Sequence, residues 1–441
     1  MKKTSLTVVL VASALLLGAA GWSAIHLRSL EGKPAKAQPG AAAAAESLIR
    51  DKDIAFFEKR AAEDPIGAID RAELAARYLQ RSRETGNFND VYRAEKLARE
   101  SLALRTARNS GTYTTLIGAL LEQHRFTEAR DLAQKLVAEE PAVDRYRSML
   151  GEIDLELGDY DAARSAFESL SGPSRGSLSI APSYARWLEI TGNTPAARLM
   201  MYRALGMADS VKEMPREPLA WYHMRVADME MRNGRLNGAA KQLRIGREIL
   251  PLDHRLLSAD ARLAALRHDW RRVIALGDSA IATVLDPGTI GLVGDAYAEL
   301  GDTARAAEYN RTMEVAVVQQ PGAYHRAWSL FLLDHDRRVP EVLSKVQEEL
   351  KTRKDIYGYD LLAWALYKQH RIAEAQAAMA KARSLGTQDA VLFYHAGMIE
   401  LAAGNAAGAR QLLKHALELN PTFDPSHPAI AKATLDSISR K

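Results

Sequence analysis

Apolar and small residues recur along this chain at helical spacing, and the clearest stretch runs from Val391 to Pro421. Phe393, Gly397, Met398 and Leu401 fall on one face of a predicted helix, which Gly404-Asn405 breaks. Ala409, Leu412, Leu413, Ala416 and Leu417 share a face of a second helix. It stops at Asn420-Pro421, because proline cannot continue it. Small residues at Gly397, Ala409 and Ala416 predict that the two backbones approach closely. A pair this short cannot bury its apolar face alone, so it needs neighbours of the same kind.

Those neighbours are present. Taking Ala409 as a marker, small or apolar residues fall in equivalent places at Ala375, Val342, Ala306, Val273, Ala239, Ala197, Ala163, Ala129 and Ala94. Five residues before most markers stands a turn residue: Gly158, Gly192, Gly234, Gly301 and Gly404, with His124 and His370 as variants. About seven residues before that turn lies another small residue, as at Gly151, Ala185, Ala227, Ala261, Gly294, Ala363 and Gly397. Pro141, Pro251 and Pro421 each close a unit twelve residues after its marker. The longer steps to Ala239 and Val342 predict insertions.

The pattern resembles the tetratricopeptide repeat. Leu150-Gly151, Gly158-Asp159-Tyr160, Ala163 and Phe167 carry the resemblance in one unit, and Val293-Gly294, Tyr297, Gly301-Asp302 and Ala306 in another. It covers roughly Asp70 to Pro421. The resemblance implies an all-α fold: a right-handed superhelical solenoid of about nine to ten helical hairpins. It fixes architecture far better than activity.

The ends read differently. In Met1–Leu27, Lys2 and Lys3 precede an apolar run from Leu6 to Ile25, which predicts an export signal or a single membrane anchor. Either would place the remainder across the inner membrane of a bacterium, in the periplasm, with the lysines left behind. Residues 28–46 read as a flexible linker, rich in Pro, Gly, Ala and Lys and weakly helical at its alanine run. The solenoid is expected over 47–426, opening with a helix from Leu48. Residues 427–441 are expected to form a capping helix and tail, with Ile430, Leu435 and Ile438 against the last repeat. Leu170–Pro182 and Met207–Pro218 read as insertions projecting from the edge, and Gly86-Asn87-Phe88 as a long turn between Ala72–Gln80 and Tyr92–Leu104.

Composition supports the helical reading and narrows the chemistry. Aromatic residues make up 7% of the chain, and there is no cysteine, which removes disulfides, thiol catalysis and thiolate metal sites. The eleven histidines are scattered: His325 and His335 lie ten apart, and His268 precedes Asp269-Trp270, without metal-ligand spacing. No phosphate loop, nucleophile elbow or dinucleotide fingerprint is present. No enzymatic activity, cofactor or metal is therefore expected. Net charge is +4 with basic and acidic residues interleaved, so nucleic acid is not an expected partner. Arg271-Arg272 and Arg337-Arg338 are short basic clusters that a solvated face explains.

What remains is a concave docking surface built by the first helix of each hairpin. Its usual positions hold Glu152, Glu156, Arg186, Asp228, Arg232, Arg262, Asp295 and Glu299 in the early and middle repeats. The Lys–Asn pairs with which some members of the family hold a terminal carboxylate do not recur. In the last repeats the lining becomes Tyr357, Asp360, Trp364, Tyr367, Lys368, Tyr394 and Met398, and Trp221 is a further candidate. Aromatic side chains with polar tips suit peptide hot spots, although Trp364 and Tyr367 could equally pack between repeats. The expectation is a non-enzymatic scaffold or adaptor for protein or peptide partners in the cell envelope, tied to the membrane if the leader is uncleaved. The alternative is an envelope accessory module whose groove aromatics bind glycan or peptide ligands.

Overall fold

The computed structural model describes residues 41–318 and 326–440, which are helical throughout apart from short turns. The signal or anchor expected in Met1–Leu27 and the histidine at position 325 lie outside the described residues. Among the described residues no helix is long and apolar enough to cross a membrane. An opening helix, Ala41–Glu63, is followed by ten hairpins and a closing helix, His427–Ser439. The hairpins begin with Ala68–Thr85 and Phe88–Leu104, then Ser110–Glu122 and Phe126–Glu139. The third joins Asp144–Leu157 to Tyr160–Glu168, the fourth Ala181–Ile190 to Thr194–Ser210, and the fifth Arg216–Arg232 to Leu236–Ile249. The sixth joins His254–Leu266 to Trp270–Ile281 and the seventh Pro287–Glu299 to Thr303–Val318. Arg326–Asp334 with Val339–Glu349, Ile356–Lys368 with Ile372–Ala382, and Ala390–Ala402 with Ala406–Leu419 complete the set.

One turn design serves all ten. Each hairpin reverses through a residue in the left-handed region: glycine in six (Gly86, Gly158, Gly192, Gly234, Gly301, Gly404), histidine in three, aspartate in one. His124, His268 and His370 adopt φ of 56°, 57° and 58°. In the third hairpin the amide of Asp159 donates to the Asp154 carbonyl, closing the first helix, and the Asp159 carboxylate accepts from the Ala162 amide, opening the second. Asn193, Asp269 and Asn405 repeat this arrangement. A left-handed residue followed by Asp or Asn therefore satisfies the exposed ends of both helices in two positions.

The marker positions form the spine of the core. Ala94, Ala129, Ala163, Ala197, Ala239, Val273, Ala375 and Ala409 are all fully buried, and Ala306 and Val342 nearly so. Close approach is real at Gly397, where a Cβ would lie 2.7 Å from the Leu413 side chain. Phe167, also fully buried, stacks on Trp187 of the next hairpin at 5.7 Å, which joins one unit to the next.

Several boundaries differ from expectation. The first helix begins at Ala41, inside the expected linker, because its alanine run is a strong helix former. The first hairpin has a two-residue turn with longer helices rather than a long turn. The insertion at 207–218 is mostly absorbed by helix, with Ala208 fully buried. Residues 170–182 do not project: Leu170 and Ile180 are buried beside Phe167 and Ile356, and the Tyr222 hydroxyl donates to the Leu178 carbonyl at 2.8 Å. In the closing helix Ala431 and Ile438 turn inward, whereas Ile430 is exposed.

The solenoid also touches itself. The Lys354 amide donates to the Leu157 carbonyl at 3.0 Å and the Ile356 amide to the Tyr160 hydroxyl at 2.6 Å, across 197 and 196 residues. Thr387 Oγ1 donates to the Ile190 carbonyl, and Asn420 Nδ2 to the carbonyls of Met231 and Arg232 at 3.0 and 3.1 Å. The turns of the third, fourth and fifth hairpins thus meet the loops that follow the eighth, ninth and tenth. Gly86 of the first meets Val284, in the loop before the seventh. One superhelical turn therefore takes between five and six hairpins, and successive turns are in contact.

Candidate functional site

The first helices of the hairpins face inward, and their polar side chains pair from one hairpin to the next. Ser183 donates to Glu152 at 2.7 Å, Arg186 pairs with Glu156, and Arg232 reaches both oxygens of Glu189 at 3.0 Å. Arg262 meets Asp228 at 2.8 Å, and His335 meets Asp295 at 2.9 Å. Each partner lies about one repeat away, so these five inner-wall positions are answered from the adjacent unit. Glu156 is answered twice, since Arg353 from the next superhelical turn also reaches it at 2.7 Å.

Arg225 breaks this regularity. Among the described residues it makes no ion pair, and its guanidinium lies 6.0 Å from the Trp221 ring. Burial and then the neighbouring Arg232 lower its proton affinity, with Asp228 and Arg186 pulling in opposite directions. Neighbouring Arg232 is held above its ordinary value despite burial, because Glu189 and Asp228 stabilise the charge.

The expected aromatic patch divides into two. Asp360, Trp364 and Tyr394 are buried, at 0%, 2% and 2% exposure. Trp364 donates its indole N–H to Asp334 at 2.9 Å and stacks on His395 at 4.2 Å. Asp360 accepts from His395 at 2.7 Å and from Arg326 at 3.1 Å. Burial alone would raise the Asp360 carboxyl, but His395 and Arg326 outweigh it and hold it below the usual carboxylate range. These three side chains bind hairpins to one another, the packing alternative for Trp364. Tyr357, Tyr367, Lys368, Met398 and Trp221 remain half-buried. Tyr357 lies under Arg326 at 5.0 Å, Tyr367 has one face on Trp364 at 4.7 Å, and Lys368 meets Asp336 at 2.8 Å. Met398 packs against the core of the last repeats.

Glu189, Arg225 and Arg326 lie on first helices and Arg353 in the loop after the eighth hairpin, and none of them is among the residues expected from the sequence. Glu189 had a findable signal, lying one first-helix position from an Arg in the next unit. Arg353 had none, because its partner lies one superhelical turn away. Among the described residues no cluster of His, Asp and Glu is placed to hold a metal ion.

Comparison with known families bears on what this geometry belongs to. Residues 120–177 and 361–422 match family models of the tetratricopeptide repeat. Within these two stretches the chain carries tetratricopeptide repeats. The two matched stretches cover hairpins two to three and nine to ten, and the turn design and buried markers are the same in the hairpins between them. A chain in the crystal structure of the APC/C hetero-tetramer Cut9-Hcn1 is similar over 89% of this chain and 94% of that one, at 13% identity and a TM-score of 0.34. No curated protein matches the sequence. Repeats of this family are protein-docking modules, typically without catalytic activity, and present extended concave surfaces.

Proposed function

We propose that this chain is a non-enzymatic scaffold of the cell envelope that receives a protein or peptide partner on the inner wall of its repeats. The observation that carries this reading is Arg225. It is an inner-wall guanidinium without an ion pair among the described residues, where Arg186, Arg232 and Arg262 each have one. An unanswered charge beside the half-buried Trp221 ring supplies an anchor of the kind that hot spots use. Tyr357, Tyr367 and Lys368 extend the available surface toward the ninth hairpin. The envelope placement rests on the sequence of Met1–Leu27, and membrane attachment depends on whether that leader is retained. The glycan alternative has less to stand on, because Trp364 and Tyr394 are buried and Tyr367 has one face covered.

Crosslinking in intact cells, followed by identification of the attached proteins, tests the proposal. Arg225→Gln and Tyr367→Ala are expected to remove a specific set of crosslinked proteins while leaving the helical content unchanged. Identical crosslinks in wild type and in both variants would rule out the inner wall as the docking surface. Amino-terminal sequencing of the purified protein decides whether the leader is cut.

A further inference from the structure

Four of the basic residues read as interleaved along the sequence are brought together by the fold at one notch. Residues 235–272 hold nine Arg and Lys against four Asp and Glu, a local excess larger than the +4 of the entire chain. They belong to the second helix of the fifth hairpin, to both helices of the sixth and to the turns beside them, where Arg235 and Arg267 lie; Arg255 and Arg262 pair elsewhere, with Glu217 and Asp228. Between these helices lies a notch of about 490 Å³, lined by Arg244, Arg247, Arg267 and Arg272. Its floor is Asp260, 5% exposed. Asp260 lies two residues, or ~200° round the helix, from the inner-wall residue Arg262, so the notch opens away from the inner wall.

The charges in the notch do not balance. Arg247 and Arg272 both bond the same oxygen of Asp260, at 2.7 and 2.9 Å, so one carboxylate answers two guanidiniums. Arg247 Nε is buried without a hydrogen-bond partner. Arg267 bonds only neutral oxygens, the Leu236 carbonyl at 3.1 Å and Asn237 Oδ1 at 3.0 Å. Against these stand Glu248, which takes Arg244 at 2.6 Å, and Asp269, which caps its own helix through the Arg272 amide. The buried carboxylate holds two planar forks in fixed directions and leaves their remaining donors unanswered. That is the arrangement which recognises a multiply charged oxyanion.

We propose that this notch binds a phosphate group, carried by a small anionic metabolite or by a membrane lipid headgroup. The notch is larger than inorganic phosphate needs, which leaves room for the rest of the molecule. The assignment is independent of the inner-wall reading, since the two surfaces share no residue.

The test uses the full chain. Calorimetric titration with inorganic phosphate at fixed ionic strength forms one arm. Cosedimentation with phosphatidylglycerol vesicles, against phosphatidylcholine vesicles, forms the other. Saturable binding in either arm is expected, and binding by free phosphate alone or by vesicles alone identifies the source. The Arg247→Gln/Arg272→Gln double variant should weaken binding at least tenfold. Arg267→Gln leaves the Asp260 pairs intact, so it should fold normally and still weaken binding several-fold. Arg164→Gln, exposed and distant, should have no effect. Absence of saturable binding in both arms overturns the proposal. So does unchanged binding in Arg267→Gln, or an equal loss in Arg164→Gln.

Discussion

The turns of the third and tenth hairpins look alike in sequence, Gly158-Asp159 and Gly404-Asn405, and alike in backbone, with glycine φ of 76° and 83°. Their surroundings are opposite. A Cβ on Gly158 would collide with the Lys354 backbone of the next superhelical turn, whereas one on Gly404 would meet nothing within 4 Å. Gly192 and Gly234 resemble Gly158: a Cβ would come within 2.5 Å of the Gly386 carbonyl oxygen and 2.8 Å of Asn420 Oδ1. Gly301 resembles Gly404 in facing open space. One residue choice therefore does two jobs. Everywhere it relieves the left-handed turn; in the first and in the third to fifth hairpins it also admits a neighbouring turn of the superhelix.

This contrast can be broken by substitution, and the largest effect is expected at Gly158→Ala. It adds a steric conflict with the Lys354 backbone to the left-handed cost of about 1 kcal/mol, for a total loss of roughly 3 kcal/mol. Gly404→Ala should show the left-handed cost alone, and thermal unfolding of the two variants measures the difference. Equal losses would mean that the turns do not dock. Next comes Asn420→Ala, which leaves the buried carbonyls of Met231 and Arg232 without their side-chain donor. The expected loss is about 2 kcal/mol by denaturant titration.

A smaller effect, of opposite sign, is expected beneath the docked turn. Asp154 is 3% exposed, its Oδ1 has no hydrogen-bond partner, and burial, then repulsion from Asp159, pushes its carboxyl up to about 6. A carboxyl raised on folding favours the folded state when protonated. Its contribution is complete below the unfolded value near 4 and is lost as pH rises through about 6. Asp154→Asn should therefore stabilise the protein at pH 7 by about 1–2 kcal/mol and flatten its stability between pH 4 and 6. Unfolding curves at pH 4, 6 and 7.5 check the sign.

The hairpins were legible in the sequence because each is local: a marker alanine, a turn residue and a small residue lie within about a dozen positions, as in Gly397, Gly404 and Ala409. His124 and His370 were readable as turn residues because they stand where glycine does. His268 fills the same place before Val273, but its neighbours Asp269 and Trp270 drew attention to chemistry instead. The site was less legible. Trp364 and Tyr394 sit at groove positions, yet partners on adjacent hairpins bury them, and one repeat's pattern does not report what the next one covers. Contacts between Glu156 and Arg353, or Gly192 and Gly386, span a full superhelical turn. They depend on the pitch, which accumulates from small rotations at every interface and has no single residue as its signal.

Contact between successive superhelical turns is most directly tested at one amide. Lys354 lies in a loop, and its N–H donates across the turns to the Leu157 carbonyl. Residue-resolved hydrogen exchange on the native protein should find this amide strongly protected, and Gly158→Ala should abolish that protection while the helix amides around Ala163 keep theirs. Exchange at Lys354 as fast as at an unbonded loop amide in the unmodified protein would contradict the account.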